Sequence, residues 1–294
     1  KSSALESAEA YRVLCIIALD QSNVTSSVNT FEKKYPTSTF LPKIRYAYGN
    51  YLVDKEKYAS AIKIYNSLST RQLNDLQRNT VRFNKGYSLL KSNLNEDAAK
   101  NFSDVIADPN APSSILSAAK YYKGYIAYTN KSFKEAISLL GQSSSDVRFK
   151  ELSEYYILDS KFMLKDYDFV ITNGTRILED IENSSESNFE SQESGANKDK
   201  NREAIGKMAQ LVSEAYYEKN DIKNSSKYFG IYTKYIDKMS REDRLFGGTL
   251  AYKAGDWGIA AENLSKACTA DDSLTQTSLY TLAECYIKLK NKYN

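Results

Sequence analysis

A chain with no histidine lacks the side chain most often used for proton transfer near neutral pH. It cannot build the Ser-His-Asp or Cys-His nucleophile systems, or a metal site that relies on imidazole. Glycine patterns that cradle a phosphate or a dinucleotide are absent too. Carboxylates remain, and a facing pair can cleave glycosides unaided. The 37 Asp and Glu residues, however, are spread along what should be solvated helix faces, and no pair stands out. Three cysteines, Cys15, Cys268 and Cys285, do not have the spacing of a zinc site. Cys15 stands at a small-residue position and is expected in the core. Cys268 and Cys285 lie on successive helices and read either as free buried thiols or as a disulfide, a choice that Cα separation decides. The chain is therefore expected to use no catalytic residue, no cofactor and no metal.

What the sequence has in surplus is aromatic surface, with 24 tyrosines and 11 phenylalanines among 294 residues. Tyr46, Phe83, Tyr121, Tyr155 and Tyr280 each precede a recurring small residue by three positions, and Tyr87, Tyr125, Tyr128, Phe162 and Tyr252 follow it by one or four. Tyrosine offers a rigid apolar body with a polar tip, which suits the capture of another chain at low entropic cost. Rings packed between helices would give the same stripe. All of these residues except Phe162 form the candidate protein-binding set, and both readings stand at this point.

The small residue belongs to a long-range repeat. It runs Cys15, Gly49, Gly86, Gly124, Leu158, Ser213, Gly248, Ala283, at intervals of 34 to 38 residues apart from one of 55. Twelve positions on come Ser27, Ala61, Ala98, Ala136, Val170, Ser225 and Ala260. Four further on come Phe31, Tyr65, Phe102, Leu140, Gly174, Phe229 and Leu264. A period of this length means stacked helical hairpins. Small residues let the two helices of a hairpin approach closely, and the bulky one fills the gap that remains. The fifth hairpin, with Leu158, Val170 and Gly174, fits the columns least well.

The 4 prolines (Pro36, Pro42, Pro109 and Pro112) are expected between hairpins, because proline is excluded from helix interiors. A net charge of +3 implies neither nucleic acid nor an anionic membrane as partner. The longest apolar stretch, Val13 to Leu19, is far short of the roughly 20 residues that span a bilayer. Asn183 to Arg202 is rich in Ser, Glu, Asn, Gln and Lys, with Phe189 as its only large apolar residue. This segment accounts for the 55-residue interval and is expected to be a flexible insertion. The expected organisation is hairpins one to five over 1–182, the insertion over 183–202, and hairpins six to eight over 203–294, in one continuous array. The eighth lacks its second helix, so a C-terminal partner, a longer parent chain or self-association through that exposed hairpin is expected. No initiator methionine or targeting segment is visible, and Lys1 reads as the start of a mature or trimmed chain.

GNYLVDKEKYASAIKIY from Gly49, GYIAYTNKSFKEAISLL from Gly124, GYSLLKSNLNEDAAKNF from Gly86 and GTLAYKAGDWGIAAENL from Gly248 resemble the tetratricopeptide repeat. That resemblance implies an all-α, right-handed superhelical solenoid of helix-turn-helix hairpins, with a concave groove lined by the first helix of each. It places the aromatic set on that groove and implies a non-catalytic scaffold binding a peptide or protein segment. The chain departs from the family where Arg45, Arg82, Lys120 and Arg244, then Lys85 and Lys123, replace the usual apolar residues of the first helix. Capture of a chaperone tail is not expected. Asn50 matches one asparagine of that clamp, but Tyr46, Phe83 and Tyr121 stand where a basic residue is needed. TFEKKYPTSTFL, from Thr30, is similar to linkers of bacterial envelope repeat proteins of the outer-membrane assembly lipoprotein and Tol–Pal coordinator types. It implies a periplasmic or outer-membrane-associated location, with the cytoplasm as the alternative. A glycan-binding protein or a carboxylate-dependent carbohydrate enzyme is the competing function, because an aromatic-lined concavity also stacks on sugar rings.

Overall fold

The computed structural model describes residues 2–188 and 195–290, with side chains described over 4–183 and 202–290. Among the described residues the structure is α-helical, with one short 3-10 turn at Thr70–Gln72 and no strand. The chain divides into two compact bodies, Lys1–Phe149 and Lys150–Asn294. The first contains α1 (Ser2–Ala18), α2 (Val24–Lys34), α3 (Leu41–Asp54), α4 (Tyr58–Ser67), α5 (Asp75–Lys91), α6 (Asn95–Ile106), α7 (Ser113–Thr129) and α8 (Phe133–Ser143). The second contains α9 (Lys150–Met163), α10 (Tyr167–Asn188), α11 (Gly195–Glu218), α12 (Ile222–Tyr235), α13 (Arg241–Ala254), α14 (Trp257–Ala267) and α15 (Ser273–Lys288). Of the insertion expected over 183–202, residues 189–194 lie outside the described residues; α10 runs to Asn188 and α11 starts at Gly195.

Odd and even helices pair into antiparallel hairpins. Within each body the second helix of a hairpin also packs on the first helix of the next, and in the first body successive first helices touch. The repeat columns explain why. A Cβ built on Gly124 would lie 2.8 Å from Leu140 Cγ, one on Gly86 2.9 Å from Phe102 Cε1, and one on Gly248 2.6 Å from Leu264 Cγ. Each glycine therefore receives the bulky side chain sixteen positions later, at a distance no side chain of its own would allow. The intervening column is sealed as well: Ala61, Ala98, Ala136 and Ala260 are fully buried. The fifth hairpin departs from this pattern. Leu158 is buried at the first position, but its Cδ1 is only in ordinary contact, 3.6 Å from where a Cβ on Gly174 would sit. The side chain that such a Cβ would strike is Val212 of α11, so Gly174 makes room for the next hairpin instead of for its own.

Every hairpin turn contains a residue with positive φ, in the left-handed region: Asp20, Glu56, Asn93, Lys131, Lys165, Asn220, Gly255 and Lys290. From the second hairpin on, this residue follows the small position by seven. Asp20 follows Val13 by seven instead, and here the sequence expectation needs correcting. Cys15 is exposed, while Val13 is buried in its place. The turn between α1 and α2 is two residues longer than its counterpart between α3 and α4. That added length keeps Phe31 buried in its column while moving the first helix out of step. Pro42 is also not strictly between hairpins. It lies in the first turn of α3, where a missing N–H costs nothing. Only the turn at Gly255 uses glycine. Lysine in this conformation is strained by about 1 kcal/mol, so Lys131→Gly is expected to raise stability by about 0.5–1 kcal/mol, read as a higher urea midpoint at unchanged slope.

Cys268 and Cys285 are free thiols, the first half-buried and the second buried. Among the described residues no helix is long and apolar enough to cross a membrane, and no group of three or more potential ligands could hold a metal ion.

Candidate protein-binding site

On α5, Phe83 and Tyr87 are one turn apart and share a face. On α7, Ile115, Ala118 and Tyr122 recur at three and four positions and share another. With Val53 of α3, Asn84, Ser114 and the Arg148–Phe149 segment after α8, these residues line a cavity of about 300 Å³ in the first body. Its walls are mostly aromatic. Tyr87 and Tyr122 meet edge to face at 5.3 Å, Phe83 and Tyr87 lie parallel at 6.4 Å, and Phe149 meets Tyr122 edge-on at 6.0 Å. Behind the wall Tyr122 stacks on Phe102, the knob that fills Gly86, at 5.9 Å. The hairpin core thus sets the orientation of the cavity ring. Burial pushes the Tyr122 hydroxyl up to about 12, so it remains a neutral donor at any ordinary pH.

Polar contacts fix the rim. Arg148 donates from Nε to Asp146 Oδ1 (3.0 Å), from Nη2 to Asp146 Oδ2 (2.7 Å) and from Nη2 to the Ser114 carbonyl (2.9 Å). This fork ties the segment after α8 to the start of α7. The pair holds the Asp146 carboxyl below, and the Arg148 guanidinium above, their usual ranges. Asn84 donates to Asn50 Oδ1 at 3.0 Å, and Tyr65 Oη donates to the same oxygen at 2.8 Å. Asn50, at the position of a clamp asparagine, thus spends its amide oxygen joining α3, α4 and α5.

Of the candidate set, the structure brings Phe83 and Tyr87 together at this cavity. Tyr121 is 7% exposed and stacks on Phe149 at 4.5 Å, supporting the cavity from behind. Tyr128 meets Phe133 at 6.3 Å, and Tyr125 is half-buried on the same helix. Tyr46 is half-buried against the core of α1 to α4. In the second body Tyr155 lies 5.1 Å from Tyr156, while Tyr252 meets Trp257 edge-on at 5.2 Å and is hydrogen-bonded to Glu284. Tyr280 is 71% exposed on α15.

Tyr122, Arg148 and Phe149 were missed by the sequence reasoning. Tyr122 lies two positions before its glycine, and Phe246 occupies the same offset in α13, where it meets Tyr217 edge-on at 5.4 Å. That offset was the available signal for both rings. Nothing local marks Phe149, whose place at the cavity comes from the Arg148 tie and from its stacking on Tyr121.

Asp243 is buried and accepts from Tyr232 Oη (2.7 Å), Gln210 Nε2 (2.9 Å) and the Ser240 amide (2.8 Å). Both of its oxygens are used in capping α13 and joining it to α11 and α12.

Residues 83–144, which span the second half of α5 and all of α6 to α8, match the family model of the tetratricopeptide repeat. The fold is of the tetratricopeptide-repeat type. A tetratricopeptide repeat protein from Parabacteroides merdae is similar over 95% of this chain and 98% of its own, with a TM-score of 0.52 and 10% identity. The apo form of the quorum sensor NprR from B. thuringiensis is similar over 98% of this chain and 83% of its own, with a TM-score of 0.56 and 13% identity. No curated protein matches by sequence. At these identities the likeness is one of fold. The cavity lies on the first helices of the tetratricopeptide-repeat array, largely within the stretch that the family model matches.

Proposed function

We propose that this chain is a non-catalytic protein-interaction scaffold that holds an extended segment of a partner protein against the first helices of its N-terminal body. The observation that supports this reading is the aromatic cavity lined by Phe83, Tyr87, Tyr122 and Phe149. A volume of about 300 Å³ lies at the lower end of the range for ligand pockets, so it takes one large side chain and leaves the rest of a segment on the helix faces. Binding energy at such interfaces concentrates in a few aromatic anchors within well-packed pockets. The repeat fold is consistent with this reading, since stacked hairpins present a long surface to a partner.

Selection of random dodecapeptides on the immobilised chain tests it. Tyr87→Ala is expected to weaken the recovered peptides by about tenfold or more. Tyr280→Ala, on an exposed face of the second body, is expected to leave them unchanged. Peptides indifferent to Tyr87 and Phe83 would reject the reading.

An association with a bacterial cell envelope is part of the same proposal and rests on the linker from Thr30 to Leu41 alone. Recovery of the native protein in the soluble cytoplasmic fraction would remove it.

A further inference from the structure

Resting on the peptide-capture reading, we infer that the cavity selects an aromatic side chain with a carboxylate beside it in the partner segment. Two observations carry this. The first is the character of the walls. Tyr122 is steeply inclined to both Tyr87 and Phe149 while Phe83 and Tyr87 lie parallel, so the lining rings stand in more than one orientation. A flat ring entering between them gains edge-to-face and offset contacts that an aliphatic side chain of equal area does not.

The second is charge. Two of the cavity rings already have a cation of this chain over them: Lys91 Nζ lies 5.4 Å from the Tyr87 centroid and Arg148 Cζ lies 5.0 Å from that of Phe149. An aromatic cage meant for a cationic ligand leaves its ring faces to that ligand; here a cationic side chain would meet like charge. Arg148 is partly neutralised by Asp146. Lys91 is exposed, at the C-terminal end of α5. The attraction for a partner carboxylate is therefore placed chiefly at Lys91, beside the Tyr87 ring. A rim charge of this kind selects among partners and speeds their encounter more than it adds affinity.

The test uses random dodecapeptide libraries on the full chain, with recovered peptides resynthesised singly. Pocket-dependent peptides are expected to share a Trp, Tyr or Phe within two residues of Asp or Glu. Replacing that aromatic by alanine is expected to cost about tenfold, and replacing the acid by its amide about threefold at low salt, a loss that shrinks as salt rises. Lys91→Glu changes only an exposed side chain, so its fold should be intact by circular dichroism. It is expected to reduce binding of the acidic peptides while sparing their amide versions. Pocket-dependent peptides anchored by aliphatic or basic residues would overturn this inference and leave peptide capture standing. Acidic peptides that bind Lys91→Glu as well as the unsubstituted chain would also overturn it. Recovered peptides that ignore Tyr87→Ala and Phe83→Ala would overturn both.

Discussion

Gly124→Leu is expected to lower the stability of the N-terminal body by about 3 kcal/mol, at the upper end of the cost of overpacking a tight contact. A Cβ at this position meets Leu140 Cγ at 2.8 Å and Leu139 Cβ at 3.2 Å, and Leu140 is itself fully buried with no room to retreat. Leu140→Gly alone is expected to cost about 4 kcal/mol, from the lost knob, the cavity it leaves and a mid-helix glycine. The double substitution keeps the total volume of the contact, moving the bulky side chain to the first helix and the glycine to the second. It is therefore expected to lose about 2 kcal/mol less than the sum of the singles, a coupling typical of residues in direct contact. Urea unfolding of the four chains, followed by circular dichroism, measures this. Additive losses would mean that the glycine column does not mark a knob and its socket.

Glu214→Gln is expected to stabilise the second body, and only above mildly acidic pH. Glu214 lies on α11, half-buried, with Asp243 of α13, Asp159 of α9 and Glu218 as the acidic groups nearby. Burial, reinforced by those carboxylates and opposed by a hydrogen bond with Gln210, raises its pKa from 4.5 to about 7. The folded state thus holds this proton more tightly than the unfolded chain. The stability it contributes is complete below pH 4.5 and is lost as pH rises to 7; above that, a buried negative charge remains. At about 1.4 kcal/mol per pKa unit, discounted for partial exposure, the loss is on the order of 2 kcal/mol. At pH 8 the amide variant should be more stable by that amount, or roughly 4–8 °C in Tm. At pH 4.5 the two chains should melt together. Parallel stability curves across this range would mean that Glu214 titrates as an ordinary surface carboxylate.

Much of the fold can be read in the sequence because hairpin formation is a local matter. The small residue, its partner sixteen positions on and the turn between them lie within one helix pair, so their spacing is printed directly in the chain. Cys15 shows the limit of that reading. A turn two residues longer moves α1 out of register while Phe31 stays in place, as the positive φ at Asp20, the buried Val13 and the exposed Cys15 reveal. Phe83 and Tyr87 can be found from their offsets on α5, yet the same offsets also yield Tyr121, whose ring is buried behind Phe149.

Sequence alone thus determined that this protein is built of paired helices with aromatic residues in excess, many of them on first helices. The period sets the pairing, and without histidine the commonest catalytic systems are closed to it. Tertiary structure decided which rings face one another. Tyr122 meets Tyr87 because α5 and α7 belong to adjacent hairpins, and Phe149 joins them because Arg148 reaches back 34 residues to the Ser114 carbonyl. A contact between neighbouring hairpins depends on how each packs against the next, and no periodicity within one repeat records that.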